Sequence, residues 1–126
     1  MDVRTVLVVE DEPDIARVIG LALKLIGRWN VVTCHRAGDI DPTVRTDRPD
    51  LILLDRLLSG TDGLEVCRAL KASPDTKDIP VIFLSAKCTD KDCEEGLAAG
   101  ASGYLGKPFD PMELADRVKG ILAQNA

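Results

Sequence analysis

Short, β-branched apolar runs alternate along this chain with stretches whose apolar residues recur at helical spacing, and that alternation restricts it to one fold class. Thr5–Glu10 (TVLVVE) is too brief for a helix and apolar on both faces, as a strand buried inside a parallel sheet must be. Asn30–His35, Leu51–Asp55, Pro80–Ser85 and Ser102–Leu105 repeat the pattern. Between the first two runs, Asp11-Glu12-Pro13-Asp14 supplies a helix start, Ile15, Val18, Ile19, Ala22 and Ile26 share one face, and Gly27 closes the helix. Ala37, Ile40 and Val44 keep a weaker spacing, with Pro42 near the helix start. Ser59–Gly63 reads as a turn cluster before a helix over Leu64–Ala72, and a short acidic helix runs over Thr89–Ala99. Asp110-Pro111-Met112-Glu113 then caps the last helix, which packs through Leu114, Ala115, Val118, Ile121 and Leu122. Five βα units imply a parallel sheet covered on both faces, a three-layer α/β/α sandwich, and 126 residues suit a single domain over 1–126. Periodicity alone leaves the strand order open.

Charge and composition remove several classes of function. A net charge of −5 with no basic stripe argues against nucleic-acid binding through this domain. No apolar run approaches the ~18 residues needed to span a bilayer, and no basic segment with an apolar stretch opens the chain, so a cytoplasmic address is expected. Cys34, Cys67, Cys88 and Cys93 form no CxxC pair and read as reduced, mostly buried small hydrophobes. His35 reads as a surface or satisfied histidine, and Trp29 as packing. With one Trp, one Tyr and two Phe, the core must be aliphatic, which singles out Tyr104.

Ligands of open α/β sheets sit beyond the carboxyl ends of the strands. There this chain places Glu10-Asp11, Asp55, Ser85 and Lys107-Pro108. Two unit charges 4 Å apart repel by roughly 4 kcal/mol at an effective dielectric of about 20, so three converging carboxylates call for a cation. Oxygen-only ligation favours a hard ion, and a small acidic site that also takes a phosphate suits Mg²⁺ better than Ca²⁺. A cation, a Lys ammonium and a Ser hydroxyl around one Asp can stabilise a transferring phosphoryl group, with that Asp as nucleophile. Asp55 is the candidate, since it ends the central apolar strand.

The segments LVVEDEPDI, LILLDRLLSGTDGLEVCRALK, PVIFLSA and ASGYLGKPFDPMEL resemble the receiver domain of two-component response regulators, the CheY-like family, in that family's order across nearly the whole chain. The resemblance implies a flavodoxin-like fold with strand order 2-1-3-4-5. It makes Asp55 the phosphoacceptor, Asp11 a direct Mg²⁺ ligand, Glu10 an acid reaching the metal through water, and the Leu57 carbonyl a further ligand. Ser85 bonds a phosphoryl oxygen, Ala86 leaves room for the group, Lys107 pairs with it, and Tyr104 takes the aromatic switch position. Leu57 and Lys87 flank the path of the hydrolytic water, and the Lys107–Pro108 bond is commonly cis. The implied partners are a sensor histidine kinase or phosphotransfer protein and a downstream protein target. Such a domain catalyses only its own phosphorylation and dephosphorylation.

Two positions depart from the family pattern. Ser59 stands where Pro is usual, which predicts a looser loop, and Arg56 stands where an apolar residue is common. Rival readings fare worse. A flavodoxin needs a Ser/Thr/Gly-rich phosphate loop where Glu10-Asp11-Glu12 stands, and a haloacid-dehalogenase-type phosphatase resembles D-x-D, whereas Asp55-Arg56-Leu57 has no second acid. A degenerate receiver serving as a constitutive interaction module disagrees with the intact set Asp11, Asp55, Ser85 and Lys107. The chain can be a free-standing regulator, a relay intermediate or the receiver of a longer protein.

Overall fold

The apolar runs pair with one another in the computed structural model, which describes residues 3–125. The strands β1 (Thr5–Val9), β2 (Asn30–Cys34), β3 (Leu51–Leu54), β6 (Val81–Ser85) and β7 (Gly103–Gly106) form a parallel sheet in the order β2-β1-β3-β6-β7. This is the 2-1-3-4-5 order that the resemblance implies, the last two strands being renumbered because a hairpin intervenes. Register is tight: Val8 lies between Thr33 on one side and Leu53 on the other.

Successive strand residues point to opposite faces, so each strand feeds two cores. Val6, Val8, Leu51, Leu53, Ile82 and Leu84 pack under α1 (Pro13–Leu25) and α5 (Pro111–Gln124), against Ile19, Leu23, Leu114 and Val118. Leu7, Val9, Ile52, Leu54, Val81 and Phe83 pack on the other side. There they meet α2 (Ile40–Asp47) and α3 (Gly63–Ala72) through Val44, Cys67 and Leu70, with Ala99 closing the end of α4 (Asp90–Ala98). The result is a flavodoxin-like three-layer sandwich.

The structure corrects two local expectations. In α1 the residues turned to the sheet are Ala16, Ile19, Ala22 and Leu23, while Val18 is 43% exposed, because Ile15 and Val18 lie on the flank facing Phe109. Gly27 directly follows the C-cap Ile26 of this helix, as expected, its N–H donating to the Ala22 carbonyl at 3.4 Å, and the chain then turns through Arg28 at φ 61°. The turn cluster Ser59–Gly63 contains an antiparallel hairpin of β4 (Leu57–Leu58) and β5 (Thr61–Asp62), with Gly60 at φ 73°. Strands of two residues are too short to carry a periodic signal. Pro42 falls in the first turn of α2, as expected, after a 3₁₀ turn over Ala37–Asp39. The cap of α5 also forms, the Asp110 carboxylate accepting the Met112 N–H at 2.9 Å.

Directly behind the end of β3, Gly63 comes so near that a Cβ there would lie 2.6 Å from both the Asp55 carbonyl and the Arg56 Cα. Both are backbone atoms. Gly63→Ala should therefore cost about 1–3 kcal/mol in urea melts. Gly120→Ala, on the open face of α5 with nothing within 4 Å, should stabilise by about 0.5–1 kcal/mol. Equal effects at the two sites would contradict the close approach.

Candidate functional site

Parallel strands all end at one edge, which is why residues separated by up to 97 positions meet there. The ladder runs one residue past β1 and β3, since Glu10 N–H donates to the Cys34 carbonyl and Asp55 N–H to the Val9 carbonyl, each at 3.1 Å. This holds Glu10 and Asp55 side by side, 1% and 6% exposed. Each of Glu10, Asp11 and Asp55 offers a carboxylate oxygen within 4.8 Å of the others. The Lys107 ammonium donates to Glu10 Oε1 and, at 2.9 Å, to Asp55 Oδ2. Its own N–H donates to the Ser85 carbonyl at 3.0 Å, which ties β7 to β6 at this edge.

Every other oxygen contact narrows the freedom of the acids. Asp55 Oδ1 accepts the Leu57 N–H at 2.9 Å. Asp11 Oδ2 accepts both the N–H and the hydroxyl of Ser59, at 3.1 and 2.7 Å. The hairpin loop is thus tied to Asp11, contrary to the looser loop expected from Ser59; a proline there would have neither donor. His35 is satisfied, its Nδ1 donating to the Glu10 carbonyl at 2.9 Å.

Electrostatics follow from one ammonium serving two buried carboxylates, with the third acid, Asp11, grouped beside them. Burial pushes the Glu10 carboxyl up to about 7, with the Asp55 charge adding to the rise and Lys107 opposing it. For Lys107, burial acts to lower the value, but the bonds to Glu10 and Asp55 outweigh it and hold the ammonium above its ordinary range. Asp11 is held low, chiefly by the Ser59 hydroxyl. A divalent cation suits this site in charge and in donor type, because all three side chains offer oxygen. Leu57 stands two residues beyond Asp55 at the start of β4, its side chain 52% exposed in a cleft shared with Asp11, Ser59 and Lys87.

The remaining expected residues lie on and around the ends of β6 and β7. Ser85 is fully buried at the end of β6, and its Oγ accepts the Lys87 N–H at 3.2 Å. Ala86 is exposed next to it. The half-buried Tyr104 donates its hydroxyl to the Lys87 carbonyl, and its ring tilts against Phe83 at 5.3 Å. Gly96 of α4 makes room for that ring, since a Cβ there would lie 2.6 Å from it. The Lys107–Pro108 peptide is cis. Among the cysteines, Cys34 and Cys67 are buried, whereas Cys88 is exposed and Cys93 half-buried, because the last two lie at the solvent-facing start of α4.

Sequence reasoning missed the role of Arg56. It is 3% exposed, and its guanidinium pairs with Asp92, Glu95 and Asp62 at 3.3, 3.2 and 3.8 Å. No spacing pattern reveals an ion cluster whose α4 members lie 36 and 39 residues away.

Fold and site together define an open α/β domain with an acidic pocket at the carboxyl edge of its sheet. A family model described as the response regulator receiver domain matches residues 6–119, and the chain belongs to that family. It is 40% identical over 119 residues to the phosphate regulon transcriptional regulatory protein PhoB of Pseudomonas aeruginosa, covering 94% of this chain and 52% of the relative. It is 38% identical over 120 residues to the DNA-binding response regulator MtrA of Mycolicibacterium smegmatis, covering 95% and 51%. The chain thus spans about half the length of these relatives. Among solved structures, a putative response regulator from Chloroflexus aurantiacus superposes with TM-score 0.86 at 34% identity, covering 97% of this chain and 99% of that one. The chemotaxis response regulator CheY4 of Vibrio cholerae gives 0.85 at 26%, covering 95% and 99%.

The Glu10 shift sets a pH dependence. Its carboxyl titrates near 7 in the folded protein against an ordinary 4.5, so between these values the native state holds the extra proton. Its stabilising contribution is complete below 4.5 and lost as pH rises through about 7. Without divalent cation, the midpoint of thermal unfolding should fall by several °C, on the order of 5, across this window, and Glu10→Gln should flatten the slope. Matching pH profiles for the two proteins would exclude Glu10 as its source.

Proposed function

We propose that this chain is the phosphorylation-operated switch of a two-component relay, a single receiver domain over 1–126 acting in the cytoplasm, with Asp55 as acceptor and Mg²⁺ as cofactor. The observation that carries this reading is the setting of Asp55: a carboxylate at the end of β3, bonded to Lys107 and grouped with Glu10 and Asp11. Among the described residues no helix is long and apolar enough to cross a membrane.

In this reading an Asp55 oxygen attacks the phosphorus of a phosphohistidine on a sensor kinase or phosphotransfer protein. The P–N bond breaks as the acyl phosphate forms, its electron pair stays on the ring nitrogen, and the imidazole, which already carries a proton on its other nitrogen in the phosphohistidine, leaves as the neutral ring. Mg²⁺, held by Glu10, Asp11, Asp55 and the Leu57 carbonyl, would offset charge on the phosphoryl oxygens. Lys107 is already at Asp55 and shifts from Glu10 to the incoming oxygens, while the Ser85 hydroxyl turns from Lys87 to donate to another. Ala86 leaves the space. Drawing Ser85 inward frees the Lys87 segment, so Tyr104 loses its present partner and moves toward Ser85, changing the surface of α4, β7 and α5. Beside Lys107, an apolar groove of Ile15, Val18, Pro108 and Phe109 offers a protein donor a place to dock. The relatives' names describe transcriptional regulators; for this domain, with its net charge of −5, we read the output as contact with a protein target and not with nucleic acid.

Acetyl phosphate with Mg²⁺ should add one hydroxylamine-labile phosphoryl group by mass spectrometry, and Asp55→Asn should add none. Equal incorporation in both would sink the assignment. Mg²⁺ should raise the thermal midpoint by mass action, and Asp11→Ala should lose that response; superimposable titrations would remove Asp11 from the ligand set.

Decay of the phosphorylated form should be slow, because bulky Leu57 and cationic Lys87 border the cleft beside Asp55. Leu57→Asn with Lys87→Glu should speed loss of the label about tenfold, a barrier change of roughly 1.4 kcal/mol. An unchanged or slower decay in the double variant would count against obstruction.

A further inference from the structure

Arg56 follows the candidate acceptor directly, and all parts of its guanidinium are engaged. Nη1 donates to the Asp92 carbonyl at 3.4 Å and to Asp92 Oδ1 at 3.3 Å, Nη2 donates to Glu95 Oε1 at 3.2 Å, and Nε lies 3.8 Å from Asp62 Oδ1. Burial acts to lower the guanidinium's value, but Tyr104 and Glu95 outweigh it and hold the group above its ordinary range.

Two of the three acidic partners cap helices. Asp62 is the N-cap of α3, its Oδ1 accepting the Leu64 N–H at 2.9 Å. Asp92 closes the capping box of α4: its Oδ2 accepts the Thr89 N–H at 2.9 Å, leaving Oδ1 to Arg56. One carboxylate therefore holds the start of α4 with one oxygen and the segment next to Asp55 with the other. At the opposite end of the side chain the backbone is clamped, because Gly63 N–H donates to the Arg56 carbonyl at 2.8 Å and Gly63 packs on the Arg56 Cα. A planar fork bound at both nitrogens conveys direction as well as charge, which a lysine would not.

We propose that Arg56 is the positioning residue that carries the phosphorylation of Asp55 to the first two turns of α4 and to Tyr104, so that helix and ring move as one unit. The proposal rests on the reading of Asp55 as acceptor. It adds a second connection to the one through Ser85 and Lys87. A shift of the Asp55–Arg56 peptide on phosphorylation moves the guanidinium, and the guanidinium moves the Asp92 carboxylate on which the α4 cap depends.

A purely structural Arg56 would fill its pocket and balance Asp92, and nothing more. Arg56→Met alone leaves Asp92 buried without its partner and should unfold at lower temperature. Arg56→Met with Asp92→Asn removes both charges while Asn still accepts the Thr89 N–H, so melting should return toward that of the original protein. With acetyl phosphate and Mg²⁺, mass spectrometry should find one phosphoryl group on both the original protein and the double variant. Amide shift changes over residues 90–98 and at Tyr104 should then fall about twofold or more in the double variant. Undiminished α4 changes in a double variant that is phosphorylated overturn this proposal alone. Uptake lost only in the variant would place Arg56 in the acceptor chemistry and also overturn it, whereas no uptake by the original protein refutes the acceptor reading itself.

Discussion

Three carboxylates meet at one sheet edge and two of them share a single lysine, and this shortage of positive charge organises the molecule. Glu10 and Asp55 are buried side by side because the β1 and β3 ladders continue past the regular strands, so neither acid can retreat to water. Lys107 bridges the two and comes from the far strand, β7, so the bridge exists only when the whole sheet is assembled. Like charges held together by covalent and hydrogen-bonded constraint raise the free energy of the site locally, and cation binding or protonation of Glu10 relieves it. The aliphatic core of both faces supplies the stability that permits such an arrangement.

From that edge two chains of contact lead to the same helix. One runs from Ser85 through the Lys87 backbone to the Tyr104 hydroxyl; the other runs from the Asp55–Arg56 peptide through the guanidinium to Asp92 and Glu95. They converge because α4 lies over β6 and β7 with only Gly96 between its backbone and the Tyr104 ring. A ring and a helix in such close contact cannot change position independently. Packed elements of this kind have discrete arrangements separated by only a few kcal/mol, the range a single charged ligand can bias.

Much of the fold was legible in local pattern. Runs such as VLVV and LILL can only be interior strands, and the acids and prolines at Asp11–Asp14 and Asp110–Glu113 mark helix starts by their own chemistry. Rotation of α1 was not, because Ile15 and Val18 are as apolar as Ile19 and only the neighbouring Phe109 segment decides which stripe meets the sheet. The β4–β5 hairpin was hidden by its length. Ser59 looked like a loosened turn because the partner of its hydroxyl, Asp11, is 48 residues away.

By itself the sequence determined the class of fold and the chemistry at the strand ends, since strand and helix periods are local and Asp55, Asp11, Ser85 and Lys107 stand next to apolar runs that must end at an edge. Receiver family membership was legible too, in motifs whose order and spacing are properties of the chain. Tertiary structure alone decided that Arg56 is buried and triply paired, that Glu10 is the acid whose proton is retained to about 7, and that Gly96 and Tyr104 share one space. Those facts depend on which helix lies over which strand. Burial and pairing are set by distances between residues far apart in the chain, and no local spacing encodes them.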